Sequence, residues 1–241
     1  MTDMEPRSKS RAVYLLPNLF TMAALFCGFY AVVAGMHGQF EGAATAIFIA
    51  MILDGFDGRV ARLIEAESEF GAQFDSMSDV VAFGVAPAMV SLSWALSTLG
   101  KVGWMAAFIF MAGAALRLAR FNAQIGTVDK KYFVGLASPP AAALVAALVW
   151  VSSQDGNAVN EGMAWLGAAV VVCAGLLMVS NFKYYSFKNF DIKGRVPFVA
   201  LLAIVIVFAV VFIDPAPILF ALAFVYALSG PVMFLFGKRF R

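Results

Sequence analysis

Four aspartates stand out in an otherwise apolar stretch of the chain. Asp54, Asp57, Asp75 and Asp79 fall in segments whose apolar periodicity predicts membrane helices. An ionised carboxylate in hydrocarbon is costly, so intramembrane acidic residues are functional candidates, and four together need a shared reason. Their ligand atoms are all oxygens, which suits a hard cation such as Mg²⁺, Mn²⁺ or Ca²⁺. Four carboxylates can hold two ions, the arrangement used as a clamp in phosphoryl displacement.

The composition of the chain places these aspartates in a membrane protein. Of its 241 residues, 62% are apolar and 13% are charged, whereas soluble domains are nearer 45–50% apolar and about 25% charged. The sequence therefore predicts an all-α, polytopic helical membrane bundle. The two cysteines, Cys27 and Cys173, lie in apolar runs and have no metal-binding spacing.

About eight membrane spans are predicted from runs of roughly 20 apolar residues. Residues 1–13 are polar and are predicted to form a cytoplasmic or interfacial segment, and residues 14–241 a single transmembrane domain. The spans are expected near 14–36, 41–64, 72–99, 103–123, 136–152, 162–181, 197–213 and 216–236.

The basic residues predict how these spans are oriented. With a cytoplasmic N-terminus, the inner segments hold every lysine and arginine except Lys101, as the positive-inside rule requires. Both termini are then cytoplasmic. The second span ends and the third begins at the inner face, so the aspartates are expected at the cytoplasmic surface of the membrane.

Helical spacing predicts that the aspartates face one another. At about 100° per residue, Asp54 and Asp57 share one arc of the second span, and Asp75 and Asp79 share one face of the third. Small residues nearby permit close approach of a backbone or ligand, and an arginine on the same arc suits a phosphate. These neighbours are Gly58, Ala61, Gly71 and Arg62. From the residues alone, a cation-coupled transporter remains an alternative, because transporters also carry intramembrane aspartates.

The spacing of the whole stretch resembles the signature of the CDP-alcohol phosphotransferases. It reads Asp54-x2-Asp57-Gly58-x2-Ala61-Arg62-x8-Gly71-x3-Asp75-x3-Asp79, with all eight positions filled. The resemblance implies a six-helix core, here followed by two C-terminal spans, and a homodimer. It also implies two Mg²⁺ or Mn²⁺ ions held by the first three aspartates, with Asp79 as further ligand and general base. The residues it implies for CDP binding are Gly58, Ala61, Arg62, Ser68 and Gly71, with Asn18 and Thr21 as weaker candidates that could instead cap a helix.

The flanking segments resemble the integral-membrane phosphatidylserine synthases within that family. The segments that carry this resemblance are 16–21, 83–88, 115–122, 135–142 and 185–188. Ala137 stands where some members have proline. The implied reaction converts CDP-diacylglycerol and L-serine to phosphatidylserine and CMP, with Asp79 accepting the hydroxyl proton.

Serine as the acceptor would need a cation for its carboxylate. Arg117 and Arg120, one turn apart at the inner end of the fourth span, are the first candidates, and Lys188 and Arg195 are rivals. Alternatively, both arginines extend to lipid headgroups.

Other members of the family stay open as alternatives, for instance a phosphatidylglycerophosphate or phosphatidylcholine synthase, because the aspartates do not select the alcohol. The remaining expectations concern the setting. The protein is expected in a bacterial inner (plasma) membrane, with a role in phospholipid biosynthesis. Its expected partners are CDP-diacylglycerol, L-serine and membrane lipids, and no nucleic acid is expected to bind.

Overall fold

A computed structural model describes residues 11–64, 68–123, 132–154, 159–185 and 213–237. Helices dominate these ranges, and two short strands form the remaining regular structure. In chain order the elements are α1 (Arg11–Met36), α2 (Phe40–Leu63), α3 (Glu69–Asp79), a π-helical turn (Val80–Val85), α4 (Ala86–Trp94), a 3₁₀ turn (Leu96–Leu99), α5 (Lys101–Ala123), β1 (Tyr132–Val134), α6 (Ser138–Ser153), α7 (Glu161–Val179), β2 (Lys183–Tyr185) and α8 (Pro215–Gly237).

The helices confirm a polytopic membrane bundle. Every predicted span that falls in the described ranges is helical, while the span at 197–213 lies outside them apart from Ile213. α1 begins at Arg11, and residues 1–10 lie outside the described ranges, so the cytoplasmic or interfacial segment 1–13 stays a prediction. Within the described ranges, five helical segments are long and apolar enough to cross a membrane, namely Leu16–Met36, Glu69–Trp94, Lys101–Ala123, Glu161–Val179 and Pro215–Phe236.

The short apolar helix α6 lies at the centre of the bundle. All its side chains from Ala141 to Trp150 are buried, and α2, α4, α7 and α8 pack around it. A helix that is apolar on every side is expected in such a position. Two prolines in its first turn, Pro139 and Pro140, suit a helix start because their missing amide hydrogens have no partner there.

The third predicted span is not one continuous α-helix. A π-helical turn follows Asp79, and the amide of Ala86 donates to the carbonyl of Val81, five residues earlier. Pro87, which has no amide hydrogen, follows in the first turn of α4. Such π turns are frequent at functional sites. Here the turn changes the direction in which the side chains of α4 point relative to the aspartates on α3.

A two-stranded antiparallel ribbon joins distant parts of the chain at one end of the bundle. Phe133 of β1 pairs with Tyr184 of β2, so the segment before α6 is tied to the segment after α7. Gly135 then adopts φ +82°, a conformation that favours glycine. Its amide donates to the Phe182 carbonyl at 2.8 Å, which continues the ribbon toward α6.

Glycines let α5 and α7 cross at close range. A β-carbon at Gly113 would lie 2.5 Å from the carbonyl oxygen of Gly175. A β-carbon at Gly175 would lie 2.9 Å from backbone atoms of Ile109 and Phe110. Small residues at helix crossings in membranes allow such contacts between backbones.

We expect Gly113→Ala to lower the midpoint of thermal unfolding in detergent by roughly 5 °C, because the methyl group would push α5 away from α7. Gly42→Ala is the matched control. It is also a glycine in a helix, but a β-carbon there would meet only the Tyr30 hydroxyl, at 3.8 Å. This control should keep or slightly raise the midpoint, since alanine favours helix. Equal midpoints for the two variants would contradict the close crossing.

Candidate active site

The first three aspartates of the sequence pattern meet at one end of the bundle. Asp54 and Asp57 lie in the last three turns of α2, and Asp75 lies on the facing helix α3. Each offers a carboxylate oxygen within 4.8 Å of the others. Asp79 lies one turn beyond Asp75 on the same helix, and its carboxyl group interacts electrostatically with that of Asp54. The four aspartates therefore form one continuous acidic cluster.

This cluster fits a divalent metal. Asp75 Oδ1 is buried and has no hydrogen-bond partner, which is costly for a carboxylate oxygen unless a ligand satisfies it. Within the described residues no lysine or arginine forms a salt bridge with the cluster. Closely spaced carboxylate oxygens without a balancing side chain are suitable ligands for a hard cation. Asp54, Asp57 and Asp75 could hold such an ion.

α1 fixes the position of Asp57. The hydroxyl of Thr21 donates to Asp57 Oδ2 at 2.9 Å, and both side chains are buried. The hydroxyl of Ser78, also buried, donates to the backbone carbonyl of Thr21 at 3.1 Å. Thr21 is thus hydrogen-bonded to both helices that carry the aspartates. The sequence marked it only as a weak nucleotide contact or a helix cap.

A cavity of about 340 Å³ opens beside the cluster. Its volume lies in the range of small-molecule sites. The lining combines two aspartates, Asp57 and Asp75, with most of the residues implied for CDP binding. The latter are Asn18, Thr21, Gly58, Ala61, Ser68 and Gly71. The structure brings these residues together around one space.

The start of α3 shapes one wall of this cavity. Ser68 caps the helix, because its hydroxyl oxygen accepts from the Gly71 amide at 3.0 Å. A β-carbon at Gly71 would lie 3.0 Å from Ser68 Oγ and 3.3 Å from Asn18 Oδ1. Glycine at this position therefore lets α1 and the start of α3 approach. Gly58, across the cavity, has open space where its β-carbon would be.

Arg62 is not among the residues that line this cavity. Its side chain is exposed, and its Nε donates to the Gly58 carbonyl one turn earlier, at 2.9 Å. Arg62 therefore lies beside the cavity wall rather than in it. Its predicted contact with a phosphate stays a prediction.

Arg117 is the basic side chain next to the acidic cluster. It is half-buried on α5 and interacts electrostatically with Asp79 and with Tyr226 of α8. One terminal nitrogen donates to the hydroxyl of Ser138 at 2.9 Å, whereas Nε is buried and without a partner. The arginine thus has donor capacity left near Asp79.

The other basic candidates have different settings. Arg120 donates to Asn181 Oδ1 at 2.8 Å, an exposed hydrogen bond between the end of α5 and the residues after α7. Lys188 and Arg195 lie outside the described residues. Of the two candidates that the structure describes, Arg117 is the one that interacts with an aspartate of the cluster.

Several residues near the site were not predicted from the sequence. Ser138 accepts a hydrogen bond from Arg117, and Tyr226 interacts with Arg117 electrostatically. Asn122 donates to the hydroxyl of Ser76 at 3.0 Å, beside Asp75. Ser138 and Asn122 fall in flanking segments that carried the family resemblance, and this resemblance could have marked them as candidate site residues. Tyr226 lies in a generic apolar helix and had no signal.

Comparison with known proteins places this site in a family. Residues 14–179 match the CDP-alcohol phosphatidyltransferase family. A CDP-diacylglycerol–serine O-phosphatidyltransferase of Helicobacter pylori is 36% identical over 228 residues, which cover 93% of this chain and 92% of the relative. The protein of that name from Methanocaldococcus jannaschii is 30% identical, covering 94% of this chain and 98% of the relative. The one from Bacillus subtilis is 32% identical, covering 72% of this chain and 92% of the relative.

The extent of these matches decides the assignment. The family match includes all four aspartates and Arg117, and the first of these relatives aligns with nearly the whole chain. The chain therefore belongs to the CDP-alcohol phosphatidyltransferase family.

Proposed function

We propose that this chain transfers the phosphatidyl group of CDP-diacylglycerol to the hydroxyl of L-serine, giving phosphatidylserine and CMP. The observation that carries the proposal is the acidic cluster on two facing helices, with Arg117 near its fourth member, Asp79. Three relatives bear the name of this serine-dependent activity, which favours serine among the alcohols used by the family. Family membership also favours a transferase over the alternative of a cation-coupled transporter.

The proposed reaction is a direct in-line displacement. The serine hydroxyl oxygen forms a bond to the phosphorus that bears diacylglycerol, and the bond from that phosphorus to the CMP oxygen breaks. CMP leaves with the electron pair, and Asp79 accepts the serine hydroxyl proton as general base. The site offers no Ser–His or Cys–His pair for a covalent intermediate, since the chain's single histidine, His37, lies in the turn between α1 and α2.

Asp54, Asp57 and Asp75, with Asp79 as a further ligand, would hold the metal. We propose two ions, Mg²⁺ or Mn²⁺. Bound there, they would neutralise the pyrophosphate oxygens, the electrostatic help on which phosphoryl transfer chiefly depends. Thr21 would keep Asp57 oriented for this purpose through its 2.9 Å hydrogen bond.

The cavity beside the cluster is the proposed subsite for the cytidine nucleotide. Its small walls at Gly58, Ala61 and Gly71 leave room for a ligand close to the backbone. Asn18 and Ser68 supply polar side chains at its edge. Arg62 would reach a phosphate from beside the wall.

Arg117 is the proposed partner of the serine carboxylate. It lies next to Asp79, so a serine bound there would have its hydroxyl near the proposed base. A guanidinium can bind a carboxylate through two parallel hydrogen bonds. Arg120 already donates a hydrogen bond to Asn181, so we assign it a smaller contribution to serine binding than Arg117.

The orientation in the membrane follows from the charges of the loops. We propose a multi-pass protein of the plasma (inner) membrane, with both termini and the site on the cytoplasmic face, because the basic residues cluster there. CDP-diacylglycerol would then enter sideways from the bilayer and serine from the cytosol. A homodimer is proposed from the family resemblance.

The proposed activity predicts serine-dependent, metal-dependent release of CMP. Purified protein with CDP-diacylglycerol should release CMP with L-serine and not with glycerol 3-phosphate, inositol phosphate or choline. Chelation should abolish the release, and Mg²⁺ or Mn²⁺ should restore it. Release with another alcohol in place of serine would support a different member of the family. Release that persists through chelation would contradict the metal site.

Asp79→Asn should reduce the turnover number by about 10²–10⁴-fold, because the variant cannot accept the hydroxyl proton. The measurement is the initial rate of CMP release at saturating substrates. Asp214→Asn is the matched control, since Asp214 pairs with Gln154 away from the cluster and should keep full activity. Near-normal turnover in Asp79→Asn would refute its role as base.

Arg117→Ala should raise the KM for serine roughly tenfold to hundredfold, the effect of losing a charge-assisted hydrogen bond worth about 1.5–3 kcal/mol. The KM for CDP-diacylglycerol should change much less. Arg120→Ala is the comparison variant and should show a smaller rise. If serine KM is unchanged in both variants, neither arginine binds the carboxylate.

A further inference from the structure

A buried hydroxyl holds the guanidinium of Arg117. One terminal nitrogen of the arginine donates to the hydroxyl oxygen of Ser138 at 2.9 Å, and Ser138 is fully buried. The Nε–H of the same guanidinium is buried without a partner. Because a hydroxyl accepts a hydrogen bond but carries no charge, this contact leaves the positive charge of Arg117 uncompensated. The arginine is held on one side and keeps a donor for a ligand.

Two contacts align α5 with the segment that carries Asp79. A β-carbon at Gly84 would lie 3.1 Å from the β-carbon of Ala114. The side-chain amide of Asn122 donates to the hydroxyl of Ser76 at 3.0 Å. Both segments advance by eight residues between these contacts, in opposite directions. α5 therefore runs antiparallel to this segment, with the two in register.

This register places Arg117 and Asp79 at the same depth in the bundle. Each residue lies between the two contacts, Arg117 on α5 and Asp79 at the end of α3. The hydrogen bond to Ser138 thus acts on a guanidinium that starts from the level of the proposed general base. A serine whose carboxylate bound Arg117 would have its hydroxyl near that level.

Backbone hydrogen bonds fix the position of Ser138. The Gly135 amide donates to the Phe182 carbonyl at 2.8 Å, and the Leu136 amide donates to the Leu177 carbonyl at 3.0 Å. The segment just before α6 is therefore attached to the end of α7 and the residues after it. Ser138 follows as the first residue of α6, so its hydroxyl is presented to Arg117 from a fixed backbone.

We infer that Ser138 is a positioning residue, whose hydroxyl holds the guanidinium of Arg117 in the orientation that binds the carboxylate of the acceptor. The inference rests on the proposed function, because it takes serine as acceptor and Arg117 as its carboxylate partner. A long side chain loses rotamer freedom when it binds a ligand, and a hydrogen bond already in place lowers that cost. Ser138 thus contributes to serine affinity and takes no part in metal binding or proton transfer.

The test is Ser138→Ala in the full chain, which removes the hydroxyl that Arg117 contacts. The KM for serine should rise about tenfold, while the turnover number and the KM for CDP-diacylglycerol stay close to the wild type. Ser91→Ala is the matched control. It also removes a fully buried serine hydroxyl, one that donates to the Ala88 carbonyl within α4, and it should leave both KM values unchanged.

Two further substitutions at this position separate the hydroxyl from the shape of the side chain. Ser138→Thr keeps a hydroxyl and should keep serine KM nearer to the wild type than Ser138→Ala does. Ser138→Cys keeps a similar size with a weaker acceptor. It should raise serine KM in the same direction as alanine, and it supplies the measurement if the alanine variant does not fold.

A double-variant cycle shows whether Ser138 acts through Arg117. In the Arg117→Ala background, adding Ser138→Ala should raise serine KM no further. Effects of the two substitutions that multiply would overturn the inference. So would equal rises in the KM of both substrates, or an unchanged serine KM in Ser138→Ala and Ser138→Cys. A wild type that releases no CMP with serine would instead refute the proposed function, and the inference with it.

Discussion

Repulsion among the carboxylates of Asp54, Asp57 and Asp75 sets the conditions that the elements around them must satisfy. Oxygens within 4.8 Å of one another at the edge of an apolar bundle destabilise their charged forms. Within the described residues no salt bridge relieves this repulsion, and the hydrogen bond from Thr21 to Asp57 relieves only part of it. A bound cation would balance the remaining charge, so the same feature that costs stability makes these side chains suitable ligands for a metal.

Bringing these carboxylates together requires helices that approach closely, and small residues provide for this. A β-carbon at Gly28 of α1 would lie 2.7 Å from the backbone of Ala82 in the π-helical turn, so α1 lies directly against the segment after Asp79. Glycine at position 71 likewise lets the start of α3 approach α1, because a β-carbon there would lie 3.3 Å from Asn18 Oδ1. The π-helical turn then changes the direction of the side chains of α4 relative to those of α3.

The described chain extends beyond the segment that matches the family. The matched segment 14–179 supplies the acidic cluster, the cavity and Arg117, which together fit the chemistry common to the family. The ribbon strand β2 and helix α8 follow it, and the rings of Tyr184 and Tyr226 lie 5.6 Å apart between centroids.

The sequence by itself determined the membrane class, the position of each described span within a few residues, and which aspartates share one face of a helix, because helical periodicity follows from local spacing. The tertiary structure decided the rest. The π-helical turn was not predicted, nor were the hydrogen bonds from Thr21 to Asp57 and from Arg117 to Ser138. These features depend on which helices become neighbours and on side-chain rotamers across long sequence separations, and local periodicity contains neither.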